Sequence, residues 1–291
     1  MIPPSFDYVV PKTLSEAVEM LGRHPDARVL AGGHSLIPLM RFRLASPTVL
    51  VDINRLDGLS TIREEDGWLK IGAMTRETDL ERSALIAEKY PLLADTTRVI
   101  ADPVVRNMST IGGNLAHADP ANDHPASMLA YGAQVVATGP KGARAIPIDR
   151  FFEGPFQTAL ARDEILTEIH IPMPGPGSGG AYAKVERKVG DYATAAVAAQ
   201  VALDDSGNCA SVGIALTNVG LTPIKATRAE ATLKGKKPDD ANIRAAAQLA
   251  AEAAEPASDP RGSVEYKRAL VKTLAVRALR KAVERARGGR A

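Results

Sequence analysis

Two short strings hold the residue types from which a phosphate cradle can be built. They are Leu30-Ala31-Gly32-Gly33-His34-Ser35-Leu36 and Ser109-Thr110-Ile111-Gly112-Gly113-Asn114. Paired glycines tolerate positive φ and let backbone N–H groups converge on an anion with no Cβ in the way. Ser35, Ser109 and Thr110 can add hydroxyl donors. Neither string is a G-x-G-x-x-G dinucleotide fingerprint, and neither is a phosphate-binding G-x-x-x-x-G-K-[ST] loop. Two such loops from opposite sides could hold a pyrophosphate without lysines. Taken singly, each reads equally well as a tight turn, and only their matching chemistry favours a shared site. His34 and His117 lack an Asp/Glu/His set at fixed spacing, so no metal site is expected.

These loops need elements to aim them. Phe6 to Val10 reads as a strand, and Thr13-Leu14-Ser15-Glu16 fits a capping box opening a helix through Ala17, Val18 and Leu21. Arg28 to Ala31 is a short strand that runs directly into Gly32-Gly33, and Thr48 to Ile53 is another, a β-α-β beginning. Leu59 to Arg63 and Trp68 to Ala73 flank an Asp66-Gly67 hairpin turn. Thr78 to Tyr90 and Leu92 to Val99 read as helices, while Ser109 to Asp123 is too polar and small-residue-rich for a regular element. A hairpin over Ala133 to Thr138 and Ala143 to Ile148 follows, then a strand over Glu164 to Ile171. Pro174 to Gly180 is the clearest linker. Beyond it come three strands (Ala181 to Lys188, Thr194 to Leu203, Ala210 to Asn218) and helices near 226–234, 242–254 and 264–287. This pattern fits a small α+β domain.

Composition narrows the function. A chain of 291 residues, 45% hydrophobic and 24% charged, suits two ordinary domains. Cys209 is the lone cysteine, which excludes a disulfide framework, a cysteine zinc site and an iron–sulfur cluster on this chain. Aromatics at 4% are too sparse for a base-stacking surface, so no nucleic-acid partner is expected. No apolar run reaches membrane-spanning length, and Met1 to Tyr8 lacks the pattern of a signal peptide, so a cytoplasmic location is the default. The net charge of +2 hides an asymmetry: from Arg261 onward ten basic residues face only Glu265 and Glu284. Leu270, Leu274, Ala278, Ala282 and Ala286 form a small apolar seam through that segment. It reads either as a terminal helix with a solvated basic face or as a dock for an acidic partner. Cys209 reads as a small apolar filler.

Several longer strings carry a family resemblance. Ala31 to Met40, Thr110 to Asn114, Ala118-Asp119-Pro120-Ala121-Asn122-Asp123-His124-Pro125-Ala126 and Lys184 to Ala195 together resemble the FAD-binding medium subunit of molybdenum hydroxylases, of the aerobic carbon monoxide dehydrogenase and xanthine dehydrogenase type. The resemblance covers essentially the whole chain. It implies an α+β fold: a two-part FAD-binding domain of the vanillyl-alcohol-oxidase (PCMH) type at 1–176, with subdomains at about 1–57 and 58–176. A C-terminal α+β domain at 177–291, a three-stranded antiparallel sheet plus helices, would follow. FAD would be noncovalent, held by a first pyrophosphate loop on Leu30 to Leu36 and a second on Ser109 to Asn114. Asp123 would lie near the ribityl and phosphate region, Ile100 would make a hydrophobic contact, Leu166 would touch the flavin ring through its backbone or side chain, Lys184 would approach the flavin's polar edge and Tyr192 its ring face. Each has a plainer reading: Ile100 and Leu166 as core, Lys184 as a solvated strand residue, Tyr192 as packing, Asp123 as a helix cap.

The same resemblance implies partners. A large subunit would carry a molybdenum–pterin cofactor and a small subunit [2Fe-2S] clusters, assembled as a dimer of heterotrimers. This chain would take electrons from the clusters onto FAD and pass them to an external acceptor, with no catalytic residue of its own. The alternatives are a stand-alone FAD-dependent oxidase or dehydrogenase of a small organic substrate, and a non-enzymatic nucleotide-binding or scaffolding module.

Overall fold

The computed structural model describes residues 2–288; Met1 and Arg290, the last of the ten basic residues, lie outside them. The first unit is β1 (Asp7–Val9), α1 (Leu14–Arg23), β2 (Arg28–Leu30), α2 (Leu36–Arg41) and β3 (Val49–Asp52). Its strands form a parallel sheet in the order β1-β3-β2, with Asp7 opposite Val49 and Arg28 opposite Leu50. The Thr13 hydroxyl caps α1 by accepting from the Glu16 amide at 3.1 Å, and Ala17, Val18 and Leu21 are buried with Val49, Val51 and Ile53. All three strands therefore run toward one edge, where β2 delivers the first glycine loop.

The second unit is β4 (Ile62–Glu65), β5 (Trp68–Gly72), α3 (Glu77–Arg82), α4 (Ala84–Lys89), α5 (Pro91–Arg98), α6 (Pro103–Arg106), α7 (Ile111–His117), α8 (His124–Tyr131), β6 (Gln134–Gly139), β7 (Gly142–Pro147), β8 (Phe152–Gly154), β9 (Gln157–Thr158) and β10 (Ile165–Pro172). Five strands make an antiparallel sheet in the order β4-β5-β10-β6-β7. Asp66 and Gly67 turn the first hairpin with φ of 52° and 81°, the left-handed pair of a two-residue primed turn. The strand expected from Leu59 starts only at Ile62. Leu59 instead crosses the end of β5, where a Cβ on Gly72 would lie 2.3 Å from the Leu59 carbonyl oxygen.

Two further expectations are corrected here. The helix expected over Thr78 to Tyr90 is broken at Ser83, whose extended backbone and hydroxyl, accepting from the Ile86 amide, start a new helix. The stretch from Ser109 to Asp123 is not irregular throughout, because it contains α7. Thr110 caps that helix through a bond from the Gly113 amide at 3.1 Å, and Ala118 ends it at φ 51°. Composition argued against a helix there; a side-chain cap and close packing on Ala73 outweigh it.

The C-terminal unit is β11 (Ser178–Glu186), β12 (Ala193–Leu203), β13 (Cys209–Thr217), β14 (Ile224–Lys225), α9 (Thr227–Leu233), α10 (Asp240–Ala253) and α11 (Val264–Ala286). Its antiparallel sheet has the three long strands expected plus the two-residue β14 at the edge. On β12, Ala195, Val197, Ala199 and Val201 pack toward α10 and α11, while Ala196 and Ala198 join the core around α5 and α8. Both faces are covered, which is why β12 is apolar at nearly every position. Ser178 to Gly180, read as the end of a linker, open β11 instead. A Cβ on Gly179 would sit 2.2 Å from the Ala282 carbonyl oxygen, and one on Gly180 would sit 2.8 Å from Leu92 Cβ. Glycine there permits close packing rather than flexibility. Cys209 is fully buried, and burial pushes its thiol up to about 11.

The basic tail is less exposed than its composition implies. The Leu274, Ala278, Ala282 and Ala286 seam is buried on the sheet, and two of its cations are internal. Lys267 pairs with Asp259 at 2.7 Å, and Arg285 binds Asp95 of α5 at 2.7 and 3.0 Å.

Candidate functional site

The first glycine loop leaves β2 and enters α2. Gly33 has φ 77°, a conformation that suits glycine. Gly32 is glycine for a different reason, since a Cβ there would meet the Met108 carbonyl oxygen at 2.4 Å and Ser109 Cα at 2.8 Å. The two loops are therefore in contact. A side-chain network that sequence reading missed holds them together. Asn54 Nδ2 donates to the Ala31 carbonyl at 2.9 Å, and Arg76 donates to Asn54 Oδ1 at 2.6 Å and to the Met108 carbonyl. Asp52 accepts from the Asn54 amide at 2.8 Å and from the Tyr8 hydroxyl. Burial alone would raise the Asp52 carboxyl, but donors from Tyr8 and Asn54 outweigh it and leave it below the usual range. Asp52 and Asn54 stand at the carboxyl end of parallel strand β3, the edge where open α/β sheets collect ligands. That position is the signal by which they could have been found.

The second loop is clamped from behind by residues 73–77. Gly112 N donates to the Ala73 carbonyl at 2.9 Å, Ile111 N to Thr75 at 3.1 Å, and Glu77 N to Ser109 at 3.1 Å. A Cβ on Gly112 would lie 2.5 Å from Ala73 Cβ, and one on Gly113 would lie 3.9 Å from Ala31 Cβ, facing the first loop. Of the four motif glycines only Gly33 uses positive φ; Gly32 and Gly112 admit neighbouring backbone, and Gly113 leaves room for the capping Thr110 hydroxyl, 2.8 Å from where its Cβ would stand. Ser109 Oγ and Asn114 Oδ1 are buried with no hydrogen-bond partner. Buried polar atoms are rarely left so, and a bound ligand that offers a partner to each would satisfy them; the loop's own amides at 111–114 are already bonded to Thr75, Ala73 and Thr110. Behind the loop, Glu77 and His124 form a fully buried pair at 2.8 Å, also unremarked in the sequence.

A second group of expected residues gathers where α5 ends, α8 begins and β11 passes. Asp123 and Lys184 meet at 2.9 Å with side chains 7% and 3% exposed. Lys184 Nζ also donates to the Val99 carbonyl at 2.9 Å and lies 3.2 Å from Glu186 Oε2. Tyr182 donates its hydroxyl to Asp123 Oδ1 at 2.7 Å. Burial pushes the Asp123 carboxyl up, with Lys184 and Tyr182 pulling against it. The structure thus brings Asp123 and Lys184 onto each other, across the join between the units. Ile100 is buried beside them, its carbonyl accepting from Arg106 at 2.9 Å. Asn122, next to Asp123, donates to the Asn114 carbonyl at 2.8 Å and links this group to the second loop.

Tyr192 is 44% exposed. Burial of its hydroxyl, with the Asp119 and Asp123 carboxylates beside it, raises its phenol. Arg187 at 2.9 Å and Arg261 at 3.0 Å fasten the preceding Asp191. Leu166 is buried in the core with Ile111 and Leu115 of α7, beside Thr167, whose carbonyl accepts from Ala73 N. His34 turns its ring to the Gly32 carbonyl at 2.9 Å and stays exposed. Among the described residues no group of three or more His, Cys, Asp or Glu could hold a metal ion, and no helix is long and apolar enough to cross a membrane.

One prediction arises at Asn114. Replacing it with alanine removes a buried acceptor that no protein group satisfies, so folding stability should change little while the affinity for FAD falls by roughly three- to tenfold, the worth of one hydrogen bond donated by a ligand hydroxyl. Equilibrium dialysis of FAD against the reconstituted complex would measure it; a variant that binds as tightly as wild type would remove Asn114 from the site.

Comparison with known proteins agrees along the chain. Residues 4–174 match the FAD binding domain in molybdopterin dehydrogenase, and residues 180–282 match the CO dehydrogenase flavoprotein C-terminal domain. The chain is 47% identical to the carbon monoxide dehydrogenase medium chain of Hydrogenophaga pseudoflava over 281 residues, 96% of this chain and 97% of that one. It is 38% identical to the glyceraldehyde dehydrogenase medium chain of Sulfolobus acidocaldarius, covering 96% of this chain and 99% of the relative. Among solved structures, a carbon monoxide dehydrogenase chain from H. pseudoflava superimposes with a TM-score of 0.95 at 47% identity, covering 98% and 99% of the two chains. A chain of quinoline 2-oxidoreductase from Pseudomonas putida 86 does so with a TM-score of 0.91 at 35% identity over the full length of both.

Proposed function

We propose a function from the premise that this chain belongs to the family of FAD-binding medium subunits of molybdopterin dehydrogenases: it carries noncovalent FAD in a molybdenum hydroxylase complex and relays electrons through it. Its partners are a large molybdenum–pterin subunit and a small subunit with [2Fe-2S] clusters, arranged as a dimer of heterotrimers. The electrons come from those clusters and leave to an external acceptor. The contact between the two glycine loops, with Ser109 Oγ and Asn114 Oδ1 buried and unpartnered beside it, carries the reading.

FAD, when bound, supplies a redox centre that exchanges electrons singly or in pairs, which suits a junction between one-electron clusters and a two-electron acceptor. The protein's task is to bind and orient it. Leu30 to Leu36 offers backbone amides and the Ser35 hydroxyl to the pyrophosphate, Ser109 to Asn114 adds the unpartnered Ser109 hydroxyl and the Asn114 side chain, and the Asp52, Asn54 and Arg76 network keeps the two loops at a fixed separation. Ile100, Asp123, Leu166, Lys184 and Tyr192 form the remainder of the site, with Tyr192 the exposed ring among them. The FAD-binding portion spans 1–176 and the C-terminal portion 177–291. No acid–base pair of this chain is needed, because substrate chemistry belongs to the large subunit. Relatives of the same build bear the names of enzymes for carbon monoxide, glyceraldehyde and quinoline, which argues that the medium chain does not select the substrate.

Co-expression with the neighbouring large and small subunits tests this. The purified complex should contain about one FAD per medium chain, a stoichiometry set by one cradle, and its flavin absorbance should bleach anaerobically on adding substrate. A complex without flavin, or flavin that stays oxidised while the iron–sulfur clusters are reduced, would refute it.

A further inference from the structure

Four exposed cations of the C-terminal helix, Arg268, Lys272, Arg277 and Arg280, lie along a groove. Between α10 and α11 runs a trough of about 550 Å³ lined by Arg244, Gln248, Lys272, Val276, Arg277 and Arg280. A second trough of about 350 Å³ continues it through Gln248 and Lys272 to Arg268 and Ala269. From Arg268 to Arg280 the groove follows α11 for about 18 Å, three turns at 1.5 Å per residue. Its floor is apolar, built by Ala245, Ala251, Ala269 and Val276, and its walls carry five cations, Arg244, Arg268, Lys272, Arg277 and Arg280, against one carboxylate, Glu252, at the end near Arg268. Asp240 neutralises Arg244 and Arg280, and Arg268 donates to the Ala254 carbonyl. Lys272 and Arg277 are exposed and have no hydrogen-bond or ion-pair partner among the described residues.

An apolar floor between walls of cationic excess, with Lys272 and Arg277 unpaired among the described residues, is complementary to an amphipathic helix with acidic residues on its flanks. Arg268 and Lys272 stand one turn apart on α11 and Arg277 follows a little over one turn later, so the groove meets acids spaced by about one turn. The groove lies on the far side of the C-terminal sheet from the glycine loops. We propose that this groove docks an acidic amphipathic helical segment of one of the partner subunits. The inference rests on the medium-subunit reading above. It makes the basic helix an assembly element, separate from cofactor binding.

The test is a double charge reversal, Lys272→Glu with Arg277→Glu, in the full chain, neither residue belonging to the flavin site. Binding to the purified pair of partner subunits is measured by interferometry at low and moderate salt, with circular dichroism confirming that the variant folds. The proposal expects wild-type binding to weaken as salt rises, and the reversal to raise Kd by about tenfold or more at low salt, where electrostatic contacts are least screened. Equal Kd for wild type and variant, or a salt-independent wild-type Kd, overturns it and leaves the medium-subunit reading intact. A variant that loses retention on heparin yet assembles normally also overturns it, reassigning the groove to a polyanion. Failure of wild type to bind the partners at all overturns both.

Discussion

Alanine at Gly32 should strip the complex of FAD while leaving the chain folded. The added Cβ would stand 2.4 Å from the Met108 carbonyl oxygen and 2.8 Å from Ser109 Cα, and both are backbone atoms that cannot rotate aside. Relief requires the two loops to separate, and the first loop's amides and the Ser109 hydroxyl then no longer face one pyrophosphate together. Losing two hydrogen bonds to a charged group at about 1.5–3 kcal/mol each corresponds to a roughly hundredfold or greater loss of affinity. The flavin-to-protein absorbance ratio of the purified complex measures this. Gly22 provides the control: it lies within α1, and a Cβ added there would find no other atom within 4 Å. Alanine at Gly22 should therefore keep full flavin and stabilise the chain by about 0.5–1 kcal/mol. Full flavin in the Gly32 variant would show that the loops do not share one ligand.

The second large effect concerns the join between the units. Asp95→Ala should destabilise the protein by about 3–5 kcal/mol, because it leaves Arg285 buried without its carboxylate. Arg285 and Asp95 are only 6% and 10% exposed, and the bond is bidentate at 2.7 and 3.0 Å. Lys281 lies 3.4 Å from the same carboxylate, and the Tyr182 amide donates to it at 3.3 Å. At about 2–4 °C per kcal/mol, the melting temperature should fall by roughly 10 °C. Asp95→Leu combined with Arg285→Met should recover most of the loss, since exchanging a buried pair for apolar groups is often neutral. A single variant melting within a degree or two of wild type would mean that the pair is dispensable.

How far the site was legible in the sequence varies with the kind of contact. The two glycine loops stood out because each is a local string whose composition reflects local constraints. Their shared position was an inference, and the packing of Gly32 on Ser109 supplies it. The reason for the glycines was only partly legible: positive φ is a property of one residue, whereas the space denied to a Cβ belongs to whatever chain passes nearby. Asn54 and Arg76 went unnoticed because an isolated polar residue in a loop has no pattern; their role exists only once Ala31 and Met108 lie on either side. Asp123 and Lys184 were singled out for a ligand, and folding also pairs them with each other.

The sequence by itself determined the order of elements, the α+β class, the hairpin at Asp66-Gly67, and the apolar faces of α1, β12 and α11, because periodicity and turn chemistry act over a few residues. It also excluded clusters and disulfides through the single cysteine. Only the tertiary structure decided which cations are internal, which glycines admit a neighbour, and that a supposed linker is the start of a strand. Each of these depends on atoms distant in sequence. Burial changes the worth of a charge or a Cβ from near nothing in water to several kcal/mol, and no local pattern records which positions will be covered.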